Sequence, residues 1–204
     1  MFSIRWRPYL LDYQRYIPAG TRSVDKSEVT KVKLAGLTAA QLATAKQRMD
    51  QTGRACGISF KWGGRIGSTR DAQSLIMLAQ QQQQQKQKPI AVQNALVDGL
   101  FEAYHEQERD ICSRDVLREV ALAAGLEADE VDEWLDSDAG GKEFDEEAAR
   151  NKETVGAGVP MFIIQRVHRV DGAQDPLDFL EIFAQIKEQE QQQEGQGLQG
   201  ESIV

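Results

Sequence analysis

The two cysteines are the residues of this chain best suited to covalent chemistry. Cys56 and Cys112 are the only cysteines among 204 residues, and no Cys-x-x-Cys pair is present. Thiol–disulfide exchange needs an attacking thiolate and a second thiol that resolves the mixed disulfide. The spacing predicts two free thiols in a reducing compartment, with a disulfide between them as the open alternative.

The other side chains that serve in acid–base or metal chemistry have no second catalytic or ligand residue at a suitable spacing in the sequence. His105 lies among glutamates of a predicted helix, which favours a solvated face over a general base or a metal ligand. His168 lies at a predicted hairpin turn, and the carboxylates of residues 129–138 crowd one predicted surface helix. The sequence therefore predicts no catalytic residue, no metal site and no cofactor.

For two segments of unusual composition, a structural role is favoured over a chemical one. Lys61–Gly67 holds three glycines and two basic residues, but no predicted strand leads into it and no Gly-Lys-Ser/Thr follows, so a flexible connector is favoured over a phosphate loop. Gln80–Gln85 is of low complexity, and it is read either as a helical extension or as a solvated insertion.

The segment Gly156–Ile164 organises the elements around it. Gly156 ends a helical pattern, and Val159-Pro160 leads into a β-prone run. Pro160 lacks an N–H donor and pushes Val159 out of the helical region, so helix, loop and strand are predicted in that order. An ordinary turn explains these nine residues by themselves, whereas a cis Val159–Pro160 bond would present the Val159 backbone to a docking molecule.

The β-prone runs lie at the two ends of the chain. Phe2–Arg7 alternates apolar and polar residues, which predicts a half-buried strand closed by Pro8. No further run occurs before the hairpin predicted at Met161–Gln165 and Val167–Val170. Without a partner, the main chain of Phe2–Arg7 would be an exposed edge.

The middle of the chain is predicted to be helical. Thr38 and Gln41 form a capping-box pattern, Ser113 is a predicted N-cap, and Asp175 with Pro176 begins a last helix suited to lie on a sheet. The segment from about Gln189 is rich in Glu, Gln and Gly and is predicted to be disordered.

The charge and hydropathy of the chain restrict its partners and its location. A formal net charge of -8 argues against a surface for nucleic acids or anionic membranes. The apolar runs are too short to span a membrane, and the N-terminus does not have the pattern of a signal peptide. We therefore expect a cytoplasmic protein with no nucleic-acid or membrane partner.

Seven short segments occur in an order typical of one family. They are Ile4-Arg-Trp-Arg-Pro-Tyr-Leu-Leu11, Gly57-Ile-Ser-Phe60, Leu100-Phe-Glu-Ala-Tyr104, Arg109-Asp-Ile111, Val116-Leu117 with Ala124-Gly-Leu126, Gly158-Val-Pro160 and Gly172-Ala-Gln174. Together they resemble a DsbA-like thioredoxin-domain protein of the FrnE type, a group related to 2-hydroxychromene-2-carboxylate isomerases and kappa-class glutathione transferases. The resemblance implies an α/β, thioredoxin-like domain over 1–188, with sheet elements at 2–8 and 161–171, a large helical insertion at about 20–155, and a tail at 189–204.

The resemblance also implies an activity, from which this chain departs. Such proteins are disulfide oxidoreductases, in which the loop matching Gly158, Val159 and Pro160 contacts a thiol- or disulfide-containing peptide or protein. Their N-terminal strand, Cys-x-x-Cys and first helix have no counterpart in these residues, and Ser68-Thr69…Ala72-Gln73 stands where the family has Asn-Thr…Ala-His. We therefore expect impaired exchange, with a non-catalytic peptide-binding module and a glutathione-dependent isomerase or transferase relative as the alternatives.

The family's first strand lies between the Arg-Trp-Arg-Pro strand and the hairpin, and its absence has three resolutions. The chain is a shortened version of a longer enzyme, or Phe2–Arg7 pairs directly with the hairpin, or a strand comes from a partner or a second copy of the chain. The first resolution is favoured and the third ranks next, which makes a homodimer one of the expectations.

Overall fold

The computed structural model describes residues 3–12, 14–86, 88–137, 140–156 and 158–200. The helices and strands within these ranges are β1 Ser23–Asp25, α1 Lys26–Lys33, α2 Ala39–Ala55, β2 Arg65–Gly67, α3 Arg70–Gln85, α4 Ile90–His105, α5 Arg114–Ala123, α6 Ala128–Ser137, α7 Gly141–Val155, β3 Met161–Ile164, β4 His168–Asp171 and α8 Pro176–Gly200, with a 3-10 turn at Gln14–Tyr16. The chain divides into two compact units, Met1–Asn151 and Lys152–Val204.

The core of the first unit lies between helices α3, α4, α5 and α6. Each helix turns one apolar face inward, and Leu75, Leu96, Leu117 and Val131 are all fully buried. A smaller cluster joins α7 to α3, because Phe144 is also fully buried and packs with Met77 and Ala148. The helical periodicity of the sequence predicts these faces correctly.

Two of the predicted helix N-caps, those of α2 and α8, make the expected side-chain hydrogen bonds. At the start of α2, Thr38 Oγ1 accepts from the Gln41 N–H at 3.2 Å, and Gln41 Oε1 accepts from the Thr38 N–H at 2.8 Å, which completes the capping box. At the start of α8, Asp175 Oδ1 accepts from the Leu177 N–H at 2.9 Å. Ser113 is the N-cap residue of α5, but its side chain makes no capping hydrogen bond.

A short antiparallel pair, β1 with β2, lies where the sequence predicts part of the helical insertion and a flexible connector. Ser23 is paired with Gly67 and Asp25 with Arg65. Gly67 has to be glycine, because a Cβ atom there would overlap the Arg22 carbonyl and Cys112 Sγ. Strands of three residues are too short to show an alternating pattern, so the connector prediction for Lys61–Gly67 is wrong at its C-terminal end.

The N-terminal segment is extended but does not form the predicted half-buried strand. Ser3–Arg7 has no strand partner in the part of the chain that the structure describes, and Phe2 lies outside it. Ile4 is 53% exposed and Trp6 is 38% exposed, with the Trp6 ring edge-on to Phe101 at 6.4 Å. A strand requires a neighbouring strand for its ladder, and among the described residues no strand pairs with this segment.

Four side-chain amides hold this segment in place of a strand, and we call them the amide clamp. The hydrogen bonds run from Gln93 Nε2 to the Ile4 oxygen (3.2 Å), from Gln80 Nε2 to the Trp6 oxygen (3.1 Å), from Asn151 Nδ2 to the Pro8 oxygen (2.8 Å) and from Gln73 Nε2 to the Tyr9 oxygen (3.1 Å). Alternate carbonyls of an extended chain point to the same edge, so Ile4, Trp6 and Pro8 face the helices together. The clamp satisfies one edge of the segment.

The second unit contains the predicted hairpin and the last helix. β3 and β4 are antiparallel, with Met161 opposite Asp171 and Ile164 opposite His168. Helix α8 continues to Gly200, which contradicts the predicted disorder of residues 189–200, while residues 201–204 lie outside the described part. Glutamine and glutamate have good helix propensity, and this explains how a polar segment extends a helix that is anchored at its N-terminal end.

The predicted domain boundary at residue 188 falls within α8.

Across the described residues, no helix is both long enough and apolar enough to cross a membrane.

Candidate functional site

The loop Gly158–Val159–Pro160 connects α7 to β3. Helix α7 ends at Val155. The next residue, Gly156, has a φ of 69°, a left-handed conformation that glycine adopts readily, and its N–H donates to the Lys152 carbonyl at 3.1 Å. The Val159–Pro160 peptide bond is cis. The Pro160 carbonyl accepts from the Gly172 N–H at 2.8 Å, which fixes the end of the loop to the hairpin.

The rest of the loop presents its main chain outward. Gly158, Val159 and Pro160 are exposed, and a Cβ atom on Gly158 would meet open space. The N–H and C=O groups of Gly158 and Val159 make no hydrogen bond within the described ranges. These groups are available to a main chain that approaches from outside.

The free edge of β3 continues this surface. Hydrogen-bonded and non-hydrogen-bonded pairs alternate along an antiparallel ladder. Because Pro160 bonds to Gly172, the pair Phe162–Val170 is a hydrogen-bonded one, and Met161 and Ile163 direct their N–H and C=O groups away from β4. Among the described residues β3 pairs with β4 alone, so the edge formed by Met161 and Ile163 is unpaired.

A row of aromatic rings supports the hairpin from the side of α8. The Phe162 ring meets Phe179 edge-on at 4.9 Å between centroids, and Phe179 is followed by Phe183 at 6.5 Å. Val170 and Ile186 are buried in the same unit. This packing fixes the position of β3, and through Pro160 it fixes the loop.

The two cysteines differ in exposure and are both free thiols. Cys56 is exposed at the C-terminal end of α2, and Cys112 is buried. Burial, followed by the negative charge of Asp110, raises the pKa of the Cys112 thiol to about 12. Its S–H group donates to the Ser68 carbonyl at 3.3 Å, so Cys112 serves as a buried donor and its thiolate is scarce at neutral pH.

The polar segment that the resemblance places near the active site makes contacts within the chain. Ser68 Oγ accepts from the Arg70 N–H at 3.3 Å, at the start of α3. Gln73 belongs to the amide clamp: its Oε1 accepts from the Tyr9 N–H at 2.9 Å, and its Nε2 donates to the Tyr9 carbonyl and to Thr69 Oγ1. A cavity of about 330 Å³ lies beside Ser68 and Cys112, and neither sequence pattern nor motif indicates it.

The remaining sequence candidates have structural roles. His105 is half-buried against Phe60 and Tyr104, and this burial, with Lys26 nearby, lowers its pKa. It is therefore not on the solvated face that the sequence predicts. His168 is in β4 opposite Ile164, at a strand position instead of a turn.

The glycine-rich connector Lys61–Gly67 donates a hydrogen bond to a carboxylate side chain of the same chain. The Gly63 N–H donates to Glu108 Oε1 at 2.7 Å, and a Cβ atom on Gly64 would overlap the Glu108 main chain. The Gly63 N–H of this loop is therefore used within the chain.

Three carboxylates of residues 129–137 form ion pairs with neighbouring segments, namely Glu130, Asp132 and Asp136, while Asp138 lies outside the described residues. Asp132 accepts from Arg118 at 2.8 Å, and Glu130 pairs with Lys86. Within the described ranges, no cluster of three or more His, Cys, Asp or Glu side chains is arranged to hold a metal ion.

Comparison with known proteins identifies the family of this chain. A family model of the DSBA-like thioredoxin domain matches residues 1–184. The chain belongs to the DSBA-like thioredoxin domain family.

A solved structure supports this family assignment. The crystal structure of a probable DsbA oxidoreductase from Streptomyces coelicolor is similar to this chain, with a TM-score of 0.68, 26% identity, and coverage of 80% of this chain and 67% of the other. No curated protein matches the sequence. The α/β, thioredoxin-like fold with a large helical insertion is therefore confirmed, with most of the described secondary structure in helices and few short strands.

Proposed function

We propose that this chain is a relative of the DsbA-like thiol–disulfide oxidoreductases that binds thiol- or disulfide-containing polypeptides at Gly158, Val159 and Pro160. We also propose that these 204 residues do not complete disulfide exchange by themselves. The observation that carries the first part is the exposed loop, in which the N–H and C=O groups of Gly158 and Val159 make no hydrogen bond within the described residues. The family match and the similarity to a probable DsbA oxidoreductase support the same reaction class.

The second part rests on the thiols. With a pKa of about 12, roughly one Cys112 side chain in 10⁵ is ionised at pH 7, and the side chain is buried. Cys56 is exposed, but no cysteine lies close to it in sequence to resolve a mixed disulfide. An exposed single thiol forms a mixed disulfide and then stops.

Peptide capture by this loop relies on main-chain groups, so it is tolerant of the peptide sequence. An extended peptide that passes Val159 gains hydrogen bonds to the Val159 N–H and C=O, and its side chains meet the exposed Val159 side chain. The Pro160–Gly172 hydrogen bond holds the loop in this form before the peptide arrives, which lowers the entropic cost of binding.

Binding is tested with a fluorescently labelled, carboxymethylated insulin B chain, which is extended and has no thiols that react. We expect Pro160→Ala to weaken binding of this probe by tenfold or more, because proline fixes its own φ and alanine does not, so the loop would have to be ordered when the probe binds. Pro176→Ala is the matched control, since Pro176 is an exposed proline at the first turn of α8 in the same unit. Equal affinities for the two variants would contradict the proposal.

A non-catalytic peptide-binding module is the second candidate, and the burial of Cys112 favours it. This candidate and the first share the loop, and they differ only in whether thiol chemistry follows binding. The two candidates are separated with native, disulfide-containing insulin as the probe. If Cys56→Ser binds this insulin as tightly as the parent chain does, the peptide-binding module is favoured. A loss of capture with Cys56→Ser favours the oxidoreductase relative.

A further inference from the structure

Helix α2 packs against the rest of the first unit with only a small part of its surface. It is described along its whole length of 17 residues, and among these Gly53 alone is buried. A helix of this length is only marginally stable by itself in water, because most helical stability in proteins comes from tertiary packing. The N-terminal segment Ile4–Pro8 makes its hydrogen bonds and ring contacts with α3, α4 and α7, so its surroundings are separate from the exposed surface of α2.

One side of α2 carries an apolar stripe beside a tryptophan. Leu42 and Met49 are two helical turns apart and share a face, and Leu37 has the position before the N-cap that packs on Leu42 in a hydrophobic staple. Leu37 is 44% exposed and Met49 is 46% exposed. Trp62, which is 41% exposed, lies next to the stripe, because Lys46 Nζ is 5.2 Å from its ring centroid and Lys46 lies between Leu42 and Met49 on the helix. We call these five residues the α2 patch.

The tryptophan of the α2 patch is held in place by its neighbours. Trp62 Nε1 donates to Asp50 Oδ1 at 3.0 Å, and the Trp62 ring centroid is 6.3 Å from that of Phe60. Phe60 in turn meets His105 edge-on at 5.6 Å. A tryptophan that is fixed before binding loses little conformational freedom when a partner arrives, and exposed tryptophans of this kind often contribute most of the binding energy of an interface.

The charge around the α2 patch is opposite to that of the whole chain. Residues 25–65 contain eight basic and three acidic residues, a net charge of +5 in a chain whose total is -8. Arg48 and Arg54 of α2 form no ion pair within the described residues, and the Asp50 carboxylate already accepts from Trp62. This surface is therefore complementary to an acidic partner.

The acidic helices of the same unit do not fit this surface in a second copy. Val131 and Leu135 of α6 and Phe144 of α7 are buried in the core, so these helices have no apolar ridge left to pack on α2. Helices pack by placing the side-chain ridges of one into the grooves of the other, and the stripe from Leu42 to Met49 offers about 10 Å of such a groove.

We propose that the α2 patch binds an acidic amphipathic helix of another protein. The apolar ridge of that helix packs on Leu42, Met49 and Trp62, and its flanking carboxylates face Lys46 and Arg48. The proposal does not rest on the proposed function, which concerns the loop at Gly158, Val159 and Pro160 in the second unit.

Fluorescence anisotropy of a labelled synthetic peptide with the 204-residue chain tests the proposal. The peptide is an amphipathic helix with a leucine ridge, glutamates on both flanks and alanines elsewhere, and the comparison peptide has lysine in place of every glutamate. At physiological ionic strength, we expect the glutamate peptide to bind at least tenfold more tightly than the lysine peptide. This preference should decrease with added salt, because salt screens charges that are exposed to solvent.

Matched variants test whether the peptide binds at the α2 patch. Met49→Glu adds a negative charge at an exposed position of the stripe, and we expect it to weaken binding of the glutamate peptide at least tenfold while circular dichroism stays unchanged. Gln51→Glu is the control, since Gln51 is exposed on the opposite side of the same helix and should change the affinity by less than twofold. Lys46→Glu should shift the preference of the chain toward the lysine peptide.

Four outcomes would overturn the proposal. They are no binding of the glutamate peptide at millimolar protein, equal affinities for the two peptides, equal effects of Met49→Glu and Gln51→Glu, and a preference that Lys46→Glu leaves unchanged. Binding of phosphatidylserine vesicles without binding of the glutamate peptide would assign the surface to a membrane, and it would overturn the proposal as well.

Discussion

Replacing Gln73 with leucine tests whether the amide clamp stands in for a partner strand. Gln73 makes two hydrogen bonds to the Tyr9 main chain, at 2.9 and 3.1 Å, and one to Thr69 Oγ1 at 2.7 Å. A typical intramolecular hydrogen bond contributes about 1 kcal/mol net. Gln73→Leu should therefore lower the free energy of unfolding by about 2–3 kcal/mol.

Gln93 is the matched comparison because its bonding is incomplete. Gln93 is 1% exposed, and its Nε2 donates to the Ile4 carbonyl at 3.2 Å, but its Oε1 is buried without a partner among the described residues. Gln93→Leu loses one hydrogen bond of about 1 kcal/mol and also removes an orphan acceptor, whose burial costs about 1–3 kcal/mol. The two terms offset, so Gln93→Leu should be neutral or slightly stabilising.

Urea unfolding and amide hydrogen exchange separate the two variants. The Tyr9 N–H donates to Gln73, so a loss of about 2 kcal/mol should speed its exchange by roughly 30-fold in Gln73→Leu. Its exchange should be unchanged in Gln93→Leu. If the two variants have equal unfolding free energies, or if Tyr9 keeps its protection without Gln73, the clamp is not what holds the segment.

Three further predictions concern the core, the buried histidine and the thiols. Phe144→Ala should cost about 3–5 kcal/mol in urea unfolding, because Phe144 is fully buried in the α7 cluster, and a loss near zero would refute its role. The pKa of His105 is lowered in the folded state, so the unfolded chain binds the proton at a higher pH than the folded chain does. The free energy of unfolding should therefore fall as the pH drops below about 6.5, and it should change less with pH in His105→Gln. At neutral pH, iodoacetamide should label Cys56 in minutes and Cys112 only on unfolding, as read by mass spectrometry, whereas equal labelling would show that Cys112 is not buried.

The helices and the hairpin could be predicted from sequence because each carries its own signal. Thr38 and Gln41 indicate the start of α2 within four residues, and the apolar face of α5 repeats at helical spacing. The proline in Val159-Pro160 predicts the loop before β3, because its constraints act on the nearest residues.

The elements that sequence reasoning missed depend on distant residues. The strand β2 is held by pairing with β1, more than forty residues earlier, and neither has an alternating pattern of its own. Gln73 and Gln93 look like ordinary helix surface residues in the sequence, and only the packing of α3 and α4 shows that they face the N-terminal segment. The burial of Cys112 and of His105 likewise follows from tertiary contacts.

The same reasoning explains two of the structural predictions that are wrong. The Phe2–Arg7 alternation predicts a strand correctly only if a neighbouring strand exists, and in the described part of this segment side-chain amides occupy one edge. The composition of residues 189–200 predicts disorder only for a segment that stands alone, whereas α8 is already anchored by Phe179 and Ile186 before those residues begin.

The reduction of insulin by dithiothreitol, measured as the rise in turbidity, tests most directly whether these 204 residues complete disulfide exchange by themselves. The structure predicts that the chain adds nothing to the rate with dithiothreitol alone, because the Cys112 thiol is buried and protonated and Cys56 has no resolving partner nearby in sequence. A clear acceleration that disappears in Cys56→Ser would contradict this account and would make Cys56 a catalytic nucleophile.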